Sequence, residues 1–271
     1  ATVCGPMSSA HRSVSSGKNP AIQRFRDAAS GDLPDLMLAE GVRLVAEALD
    51  AGLDVVEAAV SPRLTDTALK ARLQERARTF LDCSDDVLAR LSALDTPQGV
   101  AVLLQRPRLE ERALLGTSLV PMVVVAAGVR DPGNLGSLLR TAEAAGATGV
   151  LSMKGGADPF RDKAVRGSMG SIFRLPVLHG LDAAAIVAFC QRHRLQLVVA
   201  DGGGERAHTQ VDLKKPMALV VGAEAAGVPD ELLTAASVRT RIPLQAPVES
   251  LNVAVAAGVL LFEAKRQRSG A

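Results

Sequence analysis

With 271 residues and 48 % hydrophobic content, the chain has enough material for two cores of ordinary size. No apolar run reaches membrane-spanning length. The net charge of +2 is uneven: residues 1–110 carry 13 Lys and Arg against 15 Asp and Glu, whereas residues 111–271 carry 18 against 14. This mild basic bias permits a phosphate-bearing partner without demanding one.

Residues 1–18 are small, Ser-rich and free of acids, and read as a flexible bacterial N-terminus. They lack the amphipathic pattern of a trimmed organelle-targeting segment, so a cytoplasmic location is expected. A helix is predicted from Asn19-Pro20 to Ser30-Gly31, with Ile22, Phe25 and Ala29 on one face. Extended and helical segments then alternate: Asp35–Ala39, Val42–Ala51, Val55–Val60, Thr65–Arg78, Thr79–Leu81, Asp85–Leu91 and Val100–Gln105. This pattern predicts a small α/β/α domain over residues 19–105. The charged, proline-bearing stretch after it makes residues 106–117 a linker.

The second domain is predicted over 118–271. It opens with the apolar run Leu119–Ala127, long enough for a strand buried on both faces. A loop and helix follow, then strands near Thr148–Leu151, Arg174–Leu178, Gln196–Ala200, Met217–Val221 and Arg239–Ile242. Helices are expected at Arg161–Arg166, Asp182–His193 and Pro229–Ala236, with a closing amphipathic helix to about Arg266. Such alternation argues for a mostly parallel sheet covered on both faces.

Three loops in this domain attract attention. Asp131-Pro-Gly-Asn-Leu-Gly136 joins a buried strand to a helix, where open α/β sheets bind ligands, and Arg140 lies further along that helix. From spacing alone Arg140 is equally a solvated helix charge. Leu219-Val-Val-Gly-Ala-Glu-Ala-Ala-Gly227 ends a strand in a small-residue turn carrying Glu224, a position more often salt-bridged than catalytic. Lys163, Arg166 and Arg174 flank a flexible Gly167-Ser-Met-Gly-Ser171 segment suited to phosphates, or to plain solvation. Asp201-Gly-Gly-Gly-Glu205 lacks the spacing of a dinucleotide fingerprint and is discounted as one.

The stretch Arg241–Gly258 is read as a stiff loop, with Pro243 and Pro247, feeding a helix that starts near Ser250. Glu249 and Ser250 take the cap and first-turn positions, and the exposed N–H groups of the helix start suit a polar ligand. Cys4, Cys83 and Cys190 and the four histidines, His11, His179, His193 and His208, show no metal-ligand spacing, so no metal is expected. Six Phe with no Trp or Tyr argue against base-stacking recognition of single strands.

The segments Asp131–Arg140, Leu219–Glu224 and Ile242-Pro-Leu…Glu249-Ser-Leu-Asn-Val-Ala-Val-Ala-Ala-Gly258 resemble, in order and spacing, the three motifs of the SpoU/TrmH branch of the SPOUT methyltransferases. Lys163–Pro176 looks like the segment between the first two, and the N-terminal unit is similar to the family's RNA-binding substrate domain. The resemblance implies S-adenosylmethionine-dependent methylation of a ribose 2′-hydroxyl in RNA, with ribosomal RNA favoured. A tRNA substrate, or a non-catalytic RNA-binding or ribosome-assembly protein retaining the fold, remains open. It further implies an α/β SPOUT domain with a deep trefoil knot, paired as a homodimer. Gly222, Ile242, Leu251 and Asn252 are expected at the cofactor, and Arg140, Asn134, Glu224, Ser250 and Asn252 at the ribose. Lys163, Arg166 and Arg174 are expected at the RNA. Ala225 departs from the glycine usual after the motif-two acid.

Overall fold

The computed structural model describes residues 10–16, 19–92, 94–223 and 227–269. Glu224, Ala225 and Cys4 lie outside the described residues. The chain divides into two compact units. One runs to Pro107 and includes Phe160–Arg166, and the other comprises Arg108–Pro159 and Gly167 onward.

The first unit contains β1 (Ala10–Val14), α1 (Pro20–Ser30), β2 (Leu36–Glu40), α2 (Val42–Asp50), β3 (Val55–Val60), α3 (Thr67–Arg76), β4 (Thr79–Cys83), α4 (Asp85–Leu91) and β5 (Val100–Gln105). Its sheet order is β1-β4-β3-β5-β2, with β1, β4 and β3 parallel and β5 antiparallel to both β3 and β2. Helix starts are set by oxygen-bearing caps: Asn19, Asp66 and Ser84 each accept a backbone N–H from the first turn. Ile22, Phe25 and Ala28 of α1 then bury against Leu38, Leu88 and Leu103 in one cluster. The predicted N-terminal tail contributes β1, which pairs along β4 from Ala10 opposite Thr79 to Val14 opposite Cys83.

In the second unit the order is β6 (Met122–Ala127), α5 (Pro132–Ala145), β7 (Gly149–Met153), β8 (Val177–Leu181), α7 (Ala183–Arg192), β9 (Gln196–Ala200), β10 (Arg206–Ala207), β11 (Met217–Gly222), α8 (Asp230–Thr234), β12 (Val238–Arg241) and α9 (Val253–Arg268), while the short α6 (Asp162–Gly167), between β7 and β8 in the chain, falls in the first unit up to Arg166. All seven strands are parallel, in the order β10-β12-β9-β11-β6-β7-β8. Every residue of β6 and β7 is buried, as expected of a sheet covered on both faces. Leu119, at the head of the predicted first strand, is 97 % exposed; pairing begins only at Met122. Residues 106–117, expected as linker, include a 3₁₀ turn at Glu111–Leu115 whose Leu114 is fully buried, and Gly149 leaves it room.

Residues 160–166, predicted in the second domain, pack instead with the first unit. There the Arg106 guanidinium lies 4.9 Å over the Phe160 ring and Gly31 sits against the Arg161 guanidinium. Among the described residues no helix is long and apolar enough to cross a membrane, and no His, Cys, Asp and Glu group forms a metal-type cluster.

Candidate active site

Helices α5 and α9 pack side by side and frame the site. At Gly258 the two come close enough that an added methyl would meet Thr141 Cγ2 at 3.4 Å. Ala257, Leu260, Leu261 and Ala264 turn inward from α9. Burying each leucine contributes roughly 1.5–3 kcal/mol, which fixes the start of α9 over the strand ends.

That start differs from the sequence expectation. The N-cap is Asn252, not Glu249 or Ser250, and the first helical residue is Val253. Asn252 Oδ1 accepts the Ala254 N–H at 2.9 Å and the Val255 N–H at 3.4 Å. Its Nδ2 donates to Asn134 Oδ1 at 2.9 Å. Asn134 in turn is in the first turn of α5, where its N–H donates to the capping Asp131 carboxylate at 2.8 Å. Two helix starts are therefore joined by one amide pair.

Beside this pair the C-terminal ends of β9, β11 and β12 enclose a cavity of about 200 Å³. Its walls include Gly222, Ile242, Ser250 and Leu251, together with Asp201, Thr240 and Leu244. The turn after β11 closes on itself: Ala223 and Gly227 exchange backbone hydrogen bonds, and a methyl on Gly222 would come within 2.4 Å of the Gly227 carbonyl carbon. Gly204 similarly lies on the Thr240 backbone, drawing the β9 turn across β12. The cavity sits where an open parallel sheet is expected to bind ligands, beyond the carboxyl ends of its strands.

The backbone N–H groups of Ile242, Leu244 and Leu251 have no acceptor among the described residues. They offer donors to a polar heterocycle, while Leu244, Leu251, Val253 and Leu260 offer apolar surface. Asp201 holds a carboxylate at the rim. Burial raises its pKa, but the Arg239 guanidinium and the Gly203 N–H more than offset this and hold it below the usual carboxylate range. The donor set and size fit an adenosyl group.

The remaining predicted residues are dispersed. Arg140 is exposed on α5 and has no hydrogen bond or ion pair among the described residues; it is not part of the cavity wall. The Gly128–Gly136 loop does not line the cavity; Asn134 bonds Asn252 beside it, and a methyl on Gly128 would stand 4.0 Å from the Ala223 Cβ of its wall. Arg174 forks onto Glu143 at 2.6 and 3.0 Å, an ion pair that holds the Glu143 carboxyl below its ordinary pKa. Arg166 pairs with Asp162, whose pKa burial raises further than the guanidinium lowers it. Lys163 is exposed in the first unit. Asp201 and Thr240 were missed as site residues. The glycine run after β9 was the available signal, and it marks a cavity wall although it is no dinucleotide fingerprint.

Residues 121–262 match the SpoU rRNA methylase family, and residues 24–102 match the MRM3-like substrate binding domain. The chain belongs to the SpoU rRNA methylase family. Among its relatives, the 23S rRNA (guanosine(2553)-2′-O)-methyltransferase RlmP of Bacillus subtilis is 32 % identical over 83 % of this chain and 86 % of its own. The AdoMet-bound rRNA methyltransferase of Sinorhizobium meliloti shares the fold with a TM-score of 0.84 and 32 % identity, covering 94 % of this chain and 98 % of that one. The SpoU methyltransferase AviRb of Streptomyces viridochromogenes, in complex with AdoMet, gives a TM-score of 0.85 at 26 % identity over 93 % and 99 % of the two chains.

Proposed function

We propose that this protein transfers a methyl group from S-adenosylmethionine to a ribose 2′-hydroxyl of ribosomal RNA, in a bacterial cytoplasm. The observation that carries the reading is the cavity at the ends of β9, β11 and β12, whose wall brings together Gly222, Ile242, Ser250 and Leu251 from two of the three family motifs. The match to the family supplies the chemistry.

Gly222, Ile242, Leu251 and Asn252 would hold the cofactor, largely through backbone groups. When bound, S-adenosylmethionine supplies an electrophilic methyl on a sulfonium. The ribose oxygen attacks that carbon, the carbon–sulfur bond breaks, and the hydroxyl proton passes to a neighbouring acceptor. Charge cancels in this step, so a cavity that excludes water favours it. Alignment of the two reactants supplies much of the acceleration. Arg140 is assigned to the hydroxyl or its adjacent phosphate. A guanidinium stays protonated, so it donates hydrogen bonds and polarises but does not accept the proton. Asn134 and Asn252 orient the ribose and Ser250 completes the pocket, while Glu224 keeps only the role at the ribose that the resemblance implies.

The first unit, 19–105 together with β1 and Phe160–Arg166, serves as the RNA-binding domain, and 106–117 joins it to the methyltransferase domain that makes up the rest of 118–271. A deep trefoil knot accounts for the way residues 241–252 close the cavity after β12. A homodimer accounts for the exposed stripe Val255, Val259 and Phe262 on α9.

The test is single-turnover methylation of unmethylated 23S rRNA transcripts, with calorimetry of S-adenosylmethionine. Arg140→Ala is expected to bind the cofactor within about twofold of the parent and to lose at least about a hundredfold in methyl transfer. Intact single-turnover methylation by this variant would overturn the assignment of Arg140. A parent protein that binds no S-adenosylmethionine would instead favour a non-catalytic RNA-binding role.

A further inference from the structure

The cations of the second unit divide into those already engaged and those left over. Arg174, Arg192, Arg239 and Arg266 each form an ion pair, and Arg268 donates to the Leu213, Val120 and Lys215 carbonyls. Lys265 donates to the Ala144 carbonyl, and Arg241 to those of Gly204 and Glu205. Arg130 and Lys154 are exposed and have no such partner among the described residues, as also holds for Arg112, Arg140, Arg194, Arg206 and Lys214, but these two stand together at the strand ends beside the cavity.

These two are neighbours by construction. β6 and β7 pair in parallel up to Ala126 opposite Ser152, so both segments leave the sheet at the same end of the strands. Ala157 N–H donates to the Val129 carbonyl at 2.8 Å, and Gly156 lies so close to that oxygen that a methyl there would stand 3.0 Å from it. The loop carrying Lys154 is thereby tied to the residue preceding Arg130. The strip is also continuous with the cavity: Gly222 pairs with Ala127, and Gly128 approaches Ala223 of the cavity wall. Asp131, the acid next to Arg130, turns its carboxylate into the start of α5 and accepts the Asn134 N–H.

We propose that Arg130 and Lys154 form a phosphate-binding strip along the strand ends, holding the RNA backbone beside the ribose to be methylated. The inference rests on the RNA substrate proposed above and extends it to residues outside the three motifs. Two exposed cations beside a reaction cavity contact phosphates without reading bases, so they position the strand and leave choice of nucleotide to other groups. Arg166 and Arg174, also expected at the RNA, differ in having their guanidinium groups engaged by Asp162 and Glu143.

The experiment measures binding of in vitro transcribed, unmethylated 23S rRNA by filter retention across a salt series. The double variant Arg130→Gln/Lys154→Gln is compared with Arg194→Gln/Lys214→Gln, which removes the same charge from exposed residues just before β9 and β11, at the other end of the strands. The strip variant is expected to bind about tenfold more weakly at 0.1 M salt and to lower the log–log salt slope by roughly 1.5. The control pair should leave both near the parent values. Cofactor affinity by calorimetry should be unchanged in all three proteins, which reports folding independently of RNA. A strip variant that binds RNA like the control pair overturns the strip alone. A parent protein that binds cofactor but not this RNA overturns the RNA reading, and the strip with it.

Discussion

Asn252 and Asn134, 118 residues apart in sequence, share a hydrogen bond of 2.9 Å that ties the first turn of α9 to the first turn of α5. Asn252 uses both ends of its amide: the oxygen caps its own helix and the nitrogen holds the other. The two functions are separable by substitution. Asn252→Ala removes both and should destabilise the protein by about 1–2 kcal/mol, the usual cost of losing a cap. Asn252→Asp keeps the cap but sets a carboxylate against Asn134 Oδ1. Its thermal midpoint should stay closer to that of the parent, while methyl transfer falls as far as in Asn252→Ala. If the Asp variant retained full activity, the pairing with Asn134 would be irrelevant to the reaction.

The same pair marks the limit of what a local reading reaches. Ser250 and Asn252 are both favoured caps by residue type, and the one that caps α9 is the one that also bonds Asn134 on another helix. β6, β7, β9 and β11 were legible because strands buried on both faces must be apolar throughout. β1 was not, since Ala10–Val14 is an edge strand with four of its five residues exposed and so carries no alternation. The glycine run at Gly202–Gly204 was legible only as glycine-rich chain without a dinucleotide fingerprint. That it walls the cavity depends on β9 lying between β12 and β11, an order set by pairings far apart in the chain. Arg166 and Arg174 read as free cations because their partners, Asp162 and Glu143, are fixed only by the fold.

Gly222 and Gly202 both line the cavity but should respond oppositely to an added methyl. At Gly222 the Cβ would lie 2.4 Å from the Gly227 carbonyl carbon and 2.5 Å from its oxygen, so the turn must open. Gly222→Ala is expected to cost at least about 2 kcal/mol, as overpacking against backbone does, and to abolish cofactor binding by calorimetry. At Gly202 no atom stands within 4 Å of the new Cβ, and Gly202→Ala should unfold within about a degree of the parent. Equal behaviour of the two variants would mean the turn after β11 is not closed as described.

Burial pushes the Cys83 thiol up to about 11, with the Asp82 charge adding to the effect, and the Cys190 thiol up to about 12. Below the unfolded thiol value both states are protonated and stability is at its full level. As pH rises past about 8.5 the unfolded chain releases these protons while the folded chain keeps them, so stability falls until the folded values are passed. Denaturant midpoints should therefore decline between about pH 9 and pH 12 less steeply in Cys83→Ala/Cys190→Ala than in the parent. Iodoacetamide at pH 8 should leave both thiols unmodified in the native protein and alkylate them in urea, read by peptide mass. Rapid native labelling at either position would contradict the burial.

Val255, Val259 and Phe262 fall at spacings of four and three residues along α9 and remain 53 %, 36 % and 48 % exposed. Helical geometry puts them on one stripe, opposite the buried Ala257, Leu261 and Ala264. A lone apolar side chain on a surface needs no explanation, but three in register on a helix already packed on its other face suggest a covered surface. The proposed occupant is a second copy of the chain, brought up to the same stripe by two-fold symmetry. Light scattering coupled to size exclusion should then give twice 28.1 kDa for the parent. Val259→Glu/Phe262→Glu places two carboxylates against their own copies across the axis and should give the monomer mass. Its thermal midpoint should drop only as far as loss of the pairing requires, because neither side chain is part of the buried core. A parent protein already monomeric at tens of micromolar would leave the stripe without this partner and refute the dimer.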